Sequence, residues 1–495
     1  MLERELKYSP GPSFALPELA DPSRGVFTDE PVTQKLVASY FDTPDLRLAR
    51  AGASMRHRND EGWLVKLPVG SDEGLTRTEH SFGGEGEQPP DDAVDLVRAL
   101  ARGAPVQLIA RLTTVRTKVT VRDASGVKVA EVDDDEVSVI DGVRLAARFR
   151  ELEVELVEDA DDAVATLLGQ RLQKAGAGRP DPVPKIVRAI GPRALDAPDL
   201  APPRKLDLAS TALEVLEAAV ARSVARLVDH DPGVRIGEDD EAVHQARVAT
   251  RRLRSDLRTF RDVVDVEWSE PLRDELKWLG ERLGEVRDAD VLLARLEDRL
   301  DSLPHADAVG AKDLLDSLRT ERTAARESLL VALRSDRYLT LLDRLVDATT
   351  HVPPDPDRDD LDEIELEDLV RRPWKKLRRA VDALADDPPD EELHEVRIRA
   401  KRARYAAEAV APAIGREAKR FAKRVADVQE ILGEHQDAVV AEQWLRAQLG
   451  VDSSRPKLFV AGELAAIERS AARASRAKWS DIWRRTRRKK YRGWM

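Results

Sequence analysis

The chain has 495 residues, no cysteine and a formal net charge of −12. That length predicts two to four domains, the missing cysteine excludes disulfides and thiolate metal sites, and the net acidity argues against generic nucleic-acid affinity. Charged residues make up 35% of the chain, so where they cluster says more than their total.

The N-terminus has no basic-then-apolar leader, and no apolar run is long enough to span a bilayer, so a cytoplasmic protein is expected. The first predicted element is a strand. Glu3, Glu5 and Lys7 fall on one phase, and Leu2 and Leu6 on the other. A period of two means one charged face and one largely apolar face. The pattern recurs downstream. Ser54, Arg56 and Arg58 alternate with Met55 and His57, and Lys66 sits between Val65 and Leu67. Arg116, Lys118 and Thr120 alternate with Val115, Thr117, Val119 and Val121, and Glu151, Glu153 and Glu155 with Leu152, Val154 and Leu156. Two geometries fit. A sheet can bury its apolar face and point mixed charges at water, or it can close into a barrel with apolar faces outward against helices and charges lining the bore. A bore with both signs is costly when empty. It suits a multivalent anion with cations, because Arg and Lys grip phosphate oxygens and carboxylates hold Mg²⁺.

Residues 190–206 hold four prolines and read as a linker. Beyond it the spacing becomes helical, and a Pro- and Asp-rich interruption at 351–360 divides this second half in two. The two parts repeat. His244, Arg247, Arg251, Arg252 and Arg254 match His394, Arg397, Lys401, Arg402 and Arg404. Further on, Leu283, Gly284, Glu285 and Asp288 match Leu432, Gly433, Glu434 and Asp437. Each residue turns a helix about 100°, so offsets of 0, 3, 7 and 10 fall within roughly 80° of arc. His244, Arg247, Arg251 and Arg254 therefore share one face, as do His394, Arg397, Lys401 and Arg404, with Arg252 and Arg402 flanking. A single such run is usually a solvated basic face. Two matched runs point instead to a polyanion groove, with phosphates as the natural partner. His-x-x-Arg is not a zinc pattern, since it offers one ligand and then a cation. The run from Arg484 to Arg492 is read as a helix end that extends the basic surface.

The N-terminal motifs resemble, in order, those of the CYTH superfamily, the triphosphate tunnel metalloenzymes. They are Glu3, Glu5 and Lys7; Tyr40-Phe41-Asp42-Thr43; Arg56 and Arg58; Lys66; Arg116; Glu151, Glu153 and Glu155; and Lys185-Ile186-Val187-Arg188. One departure is Pro184-Lys185-Ile186, where the family usually has Ser-Lys-Tyr. Residues 207 to about 485 resemble a CHAD domain, a module often fused behind CYTH domains.

The resemblance implies an α+β chain. An N-terminal antiparallel β-barrel, the triphosphate tunnel with flanking helices, would span 1–192. A linker would follow at 193–206, then at 207–495 an all-α domain of two pseudo-symmetric bundles, with repeats near 207–350 and 361–485 and a basic tail at 484–495. The tunnel would bind substrate through Lys7, Arg56, Arg58, Lys66, Arg116, Lys118, Lys185 and Arg188. Glu3, Glu5, Lys7, Glu153 and Glu155 would be catalytic. Mg²⁺ or Mn²⁺ would be held by Glu3, Glu5, Glu153 and Glu155, with Glu151 and Asp133 able to join. The expected activity is metal-dependent hydrolysis of inorganic triphosphate, with inorganic polyphosphate bound by the ten matched His, Arg and Lys residues of the helical half and association with polyphosphate granules. Alternatives are a non-catalytic polyphosphate scaffold and an enzyme for an organic triphosphate, thiamine triphosphate or ATP, including adenylyl cyclase. Neither membrane nor nucleic acid is an expected partner.

Overall fold

A computed structural model describes residues 4–68, 77–84, 87–141, 144–157, 160–181, 183–450 and 453–495. The chain divides into two compact units, Met1–Asp199 and Leu200–Met495.

Among the described residues the first unit is built on nine strands: β1 (Arg4–Tyr8), β2 (Phe27–Thr28), β3 (Val32–Asp42), β4 (Ser54–Arg58), β5 (Gly62–Pro68), β6 (Arg77–Phe82), β7 (Gln107–Arg122), β8 (Lys128–Asp141) and β9 (Arg144–Leu156). They form one sheet in the order β1-β9-β8-β7-β3-β4-β5-β6, with β2 beside β7, and every pairing is antiparallel. The period-two pattern decides which face is buried. Val119, Val121, Val132, Leu152 and Val154 pack as a core against Leu167, Leu168 and Leu172 of helix α1 (Asp162–Lys174). The charged residues between them face the other way. Glu5 on one edge strand and Glu79 on the other line the same cavity as Arg116 in mid-sheet. The sheet therefore curls into a half-barrel, apolar outside and charged within, which has the facing of the second geometry above without its closure. Among the described residues no ladder joins β1 to β6. A short helix, α2 (Lys185–Ile190), packs Ile186 and Val187 with Ala110 and Leu112 of β7.

The Asp42-Thr43 pair explains itself structurally. The Asp42 carboxylate is 2% exposed and accepts backbone N–H bonds from Thr43 at 2.6 Å and from Leu48 and Ala49 at 2.9 Å. It thus turns the chain out of β3 into the helical turn Arg47–Arg50.

The second unit is helical. Its first repeat holds α3 (Ala212–Ile236), α4 (Asp240–Thr259), α5 (Val266–Asp301), α6 (Lys312–Arg334) and α7 (Asp336–Asp347). Its second holds α8 (Leu366–Asp382), α9 (Asp390–Ile414), α10 (Arg416–Ala447) and α11 (Arg455–Thr486). Local chemistry sets the ends. Thr211 and Glu214 form a capping box at α3, and Asp239, Asp265, Ser335 and Ser454 cap α4, α5, α7 and α11. Helix α3 stops at Gly237, φ 74°, where the Arg326 guanidinium donates to the carbonyls of Val234 (3.0 Å) and Arg235 (2.8 Å). Helix α3 packs on α4, α8 on α9, and α4 on α9. Leucines of α5, α6, α10 and α11 share one core cluster, which ties the two repeats together. No helix among the described residues is long and apolar enough to cross a membrane.

Replacing Asp42 with Ala strands three backbone donors next to a buried turn. The expected loss is about 2–3 kcal/mol of unfolding free energy, read by denaturant titration, with the second unit's unfolding unchanged.

Candidate functional site

The charged face of the half-barrel is ordered by strand register. Three rows of side chains cross β9, β8 and β7, and two of them continue onto β1. Lys7 lies opposite Glu153, Glu153 opposite Asp133, and Asp133 opposite Lys118. In the next row Glu5, Glu155, Glu131 and Thr120 follow one another. In the third, Glu151 faces Asp135 and Asp135 faces Arg116. Strands β8 and β9 thus form an acidic block, with cations from β7 on one side and β1 on the other.

The distances follow the rows. Lys7 Nζ is 3.1 Å from Glu153 and 3.3 Å from Glu5. Arg116 grips Asp135 with two bonds of 2.8 and 2.7 Å, reaches Glu153 at 3.2 Å and also pairs with Asp133. From α2, Lys185 reaches Asp135 at 2.5 Å, Glu151 at 3.3 Å and Glu153 at 3.6 Å. Arg188 pairs with Glu151 at 3.3 Å and Asp181 at 2.7 Å. Across the cavity, Arg56 meets Glu61 at 3.1 Å, Arg58 meets Asp60 at 2.6 Å, and Lys66 pairs with Glu79. Lys118 pairs with Glu131 at 2.6 Å.

This crowding shifts the titrations. Burial alone would raise the Glu153 carboxyl, but Lys185, Lys7 and Arg116 hold it well below the usual range. Burial pushes Glu151 up. It pushes Asp133 up to about 6, with Arg116 opposing and Asp135 adding to the rise. Burial opposes the charge on Lys185 and Lys7, yet the surrounding carboxylates raise both ammonium groups.

A cavity of about 320 Å³ results. It brings together Glu5, Lys7, Arg56, Arg58, Lys66, Arg116, Lys118, Glu153, Glu155 and Lys185. Asp133 and Glu151 are buried in the sheet, 1% and 0% exposed, and Arg188 does not line the cavity but contacts Glu151. Glu3 lies outside the described residues. Sequence reasoning missed Asp135, which anchors both Arg116 and Lys185, and the cavity residues Glu131, Asp60, Glu61 and Glu79. The signal for Asp135 was present, because Glu131, Asp133 and Asp135 alternate on β8 just as the glutamates do on β9. His57 packs against Trp63, ring centroids 5.0 Å apart and planes tilted by 54°, on the phase opposite to Arg56 and Arg58. His80 Nε2 is 3.2 Å from the Thr78 hydroxyl.

The acidic block fits a divalent metal. Asp133, Glu153 and Glu155 offer oxygens that all lie within 4.8 Å of one another. Although Asp133 pairs with Arg116, neither of its buried oxygens accepts a hydrogen bond. Three hard oxygen donors suit Mg²⁺ or Mn²⁺.

In the helical unit the two repeated faces meet. Arg251, Arg254, Lys401 and Arg402 line one groove of about 200 Å³ between α4 and α9. The glycines of the second matched segment lie beneath the arginines: a Cβ on Gly284 would sit 3.7 Å from the Arg247 guanidinium, and one on Gly433 3.5 Å from that of Arg397. Arg247 pairs with Asp288 at 2.7 Å, Arg252 with Glu408 at 2.7 Å, Arg404 with Glu408 at 2.6 Å, and Arg397 with Asp437 at 3.9 Å. Arg251 instead lies over the Tyr405 ring, 5.4 Å from its centroid. The Nε atoms of Arg251, Arg252, Arg254 and Arg397 are buried without hydrogen-bond partners. Burial, with Arg397, Arg251 and Arg247 nearby, lowers Lys401 to about 7. Burial and Arg287 lower His244. His394 Nδ1 is 2.8 Å from Gln436 Oε1. Of the C-terminal basic run, Arg485 shares a cavity wall with Arg397, and Tyr491 packs under Arg424.

Comparison with known proteins agrees with this division. A CYTH domain profile matches residues 1–190, and a CHAD domain profile matches residues 218–446. Rv2226 of Mycobacterium tuberculosis strain H37Rv, described as an uncharacterized protein, is 33% identical over 470 residues, or 90% of this chain and 88% of the relative. Two solved structures are similar in part. PptA from Streptomyces chartreusis covers 56% of this chain and 100% of its own at 25% identity and a TM-score of 0.48. The CHAD domain from the plant Ricinus communis covers 56% and 96% at 29% identity and a TM-score of 0.42. The chain belongs to the proteins that join a CYTH domain to a CHAD domain. That membership supports a triphosphate-related function and a metal-dependent site.

Lys401 gives a pH test. Its folded pKa of about 7 lies below the ordinary 10.5. Between those values the unfolded chain binds more protons than the folded one, so this residue makes stability rise with pH across that window. Lys401→Met should remove that rise and stabilise the protein near pH 7. Denaturant midpoints of both proteins at pH 7 and 9 measure the difference.

Proposed function

We propose that the CYTH unit hydrolyses inorganic triphosphate with a divalent metal, and that the CHAD unit binds inorganic polyphosphate. The observation that carries the first half is the tunnel's charge arrangement. Cations from β1, β4, β5, β7 and α2 line one cavity together with Glu153 and Glu155, and the buried Asp133 completes a three-carboxylate cluster with those two. A pure anion site gains nothing from carboxylates, whereas a phosphate chain with a bound cation needs both signs.

In this reading Lys7, Arg56, Arg58, Lys66, Arg116, Lys118 and Lys185 hold phosphate oxygens. Asp133, Glu153 and Glu155 hold the metal, with Glu5 beside them. Arg188 acts through Glu151, and Asp135 keeps Arg116 and Lys185 aimed inward. A bound Mg²⁺ or Mn²⁺ would supply Lewis-acid polarisation of phosphate oxygens. With the protein's cations already gathered around the cavity, the phosphate chain is positioned by groups held in place, and positioning with electrostatic stabilisation is the main route by which proteins assist phosphoryl transfer. Tyr40 is the single aromatic side chain among the described residues lining the cavity. That favours a bare phosphate chain over a substrate whose ring needs stacking. The unpaired guanidinium edges of the α4/α9 groove support polyphosphate as the CHAD ligand.

Phosphate release from tripolyphosphate with Mg²⁺, run beside ATP and thiamine triphosphate, tests the reading. Tripolyphosphate should be the preferred substrate. Glu155→Gln should lower its turnover by about a hundredfold or more and leave binding of long-chain polyphosphate intact. Equal or better turnover of ATP or thiamine triphosphate would move the enzyme to an organic substrate. No release from any of them would leave the scaffold alternative.

A further inference from the structure

The repeat extends beyond the His-x-x-Arg faces, and it is broken at one informative place. A shift of 150 residues takes His244 onto His394, and it also takes Arg222 and Arg226 of α3 onto Arg372 and Lys376 of α8. Each of these helices packs against the neighbouring basic helix, α3 on α4 and α8 on α9. Two pockets follow, related by the same shift. One lies between α4, α8 and α9 and is lined by Arg258, Arg372, Lys376, Arg399 and Arg402. Its counterpart between α3, α4 and α9 is lined by Arg222, Arg226 and Arg252.

The two are not alike. Where the first has Arg258, the second has Glu408, and where the second has Asp256, the first has Ala406. Glu408 accepts from Arg252 at 2.7 Å and from Arg404 at 2.6 Å. Asp256 is buried facing Arg222 and Arg252. The second pocket is thereby neutralised from within and shrinks to about 70 Å³. The first keeps about 300 Å³. Arg372 pairs there with Asp262, and Arg399 with Glu395 at 2.9 Å. Among the described residues no carboxylate lies within 4.0 Å of Arg258, Lys376 or Arg402. Ser255, Arg258 and Arg402 line both this pocket and the α4/α9 groove, so the two cavities adjoin.

We propose that the α4/α8/α9 pocket is a second anion site that continues the groove on one side only. It takes phosphate units of a linear polyphosphate chain, and Glu408 closes the equivalent exit. The CHAD unit then holds its ligand asymmetrically although its sequence is repeated. This rests on the polyphosphate-binding reading of the groove.

The repeat supplies its own control. Binding of long-chain polyphosphate to the full-length protein, without divalent cations, is compared among four proteins: wild type, Arg258→Ala with Lys376→Ala, Arg222→Ala with Arg226→Ala, and Arg247→Ala with Arg397→Ala. Arg258 and Lys376 are exposed, so their removal leaves the fold intact, which thermal unfolding checks. The Arg258/Lys376 pair should raise Kd about tenfold or more, and the Arg222/Arg226 pair by less than about twofold. Equal effects of those two pairs, or no effect of the first, overturn the proposal. Failure of the underlying reading looks different: either wild type does not bind, or the Arg247/Arg397 variant binds as wild type does.

Discussion

The tunnel depends on one constraint, the cross-strand register of β1, β9, β8 and β7. Antiparallel strands place opposite residues about 4.5–5.5 Å apart, so charges in one row are committed to interact. Here every acidic position of β8 and β9 on the inner face meets another acidic position across the ladder. Two adjacent acidic strands would repel unless cations intruded. Arg116, Lys7 and Lys185 do so from three different elements, and each bonds more than one carboxylate. Because side chains alternate with a period of two, a one-residue slip of either strand would put the carboxylates into the apolar core. Valines and leucines on the outer face hold the register against α1. Stability and site geometry are thus the two faces of the same strands.

This is why so much was legible in the sequence. Alternation in β4, β7 and β9 is a local signal, and it identified the inner-face residues before any tertiary contact was known. The same signal marked Asp135, but it was masked. Asp133, Asp134, Asp135 and Glu136 are consecutive, so the acidic run blurs the period, and only the pairing of Asp135 with Glu151 and Arg116 shows which members face inward. Glu61 and Asp60 were illegible for another reason. They sit in the turn between β4 and β5, and their reach to Arg56 and Arg58 depends on turn geometry that carries no periodicity. In the helical half, the repeated His and Arg faces were readable from helical spacing. The sealing role of Glu408 was not, because it depends on how α4 and α9 cross.

The two basic surfaces solve different electrostatic problems. In the tunnel each cation is already matched by carboxylates, so the ammonium groups are raised and stay charged at any physiological pH. The cost of gathering these charges is met by the protein, and an entering anion finds them fixed. A metal held by Asp133, Glu153 and Glu155 would free the paired cations toward phosphate, since carboxylates bound to it no longer serve them fully. In the groove the balance is reversed. Arg251, Arg254 and Lys401 crowd together, and Arg251, Arg254 and Lys401 are all lowered by burial. Like charges held together in a folded chain destabilise it until a polyanion arrives. On the proposed reading, the half-barrel cavity suits an anion that brings a cation, and the groove an anion alone. Affinity in the groove should fall steeply with salt, because bound counterions are what the ligand displaces. Affinity in the tunnel should respond far less, because carboxylates of the protein, and not ions from solution, are the partners displaced.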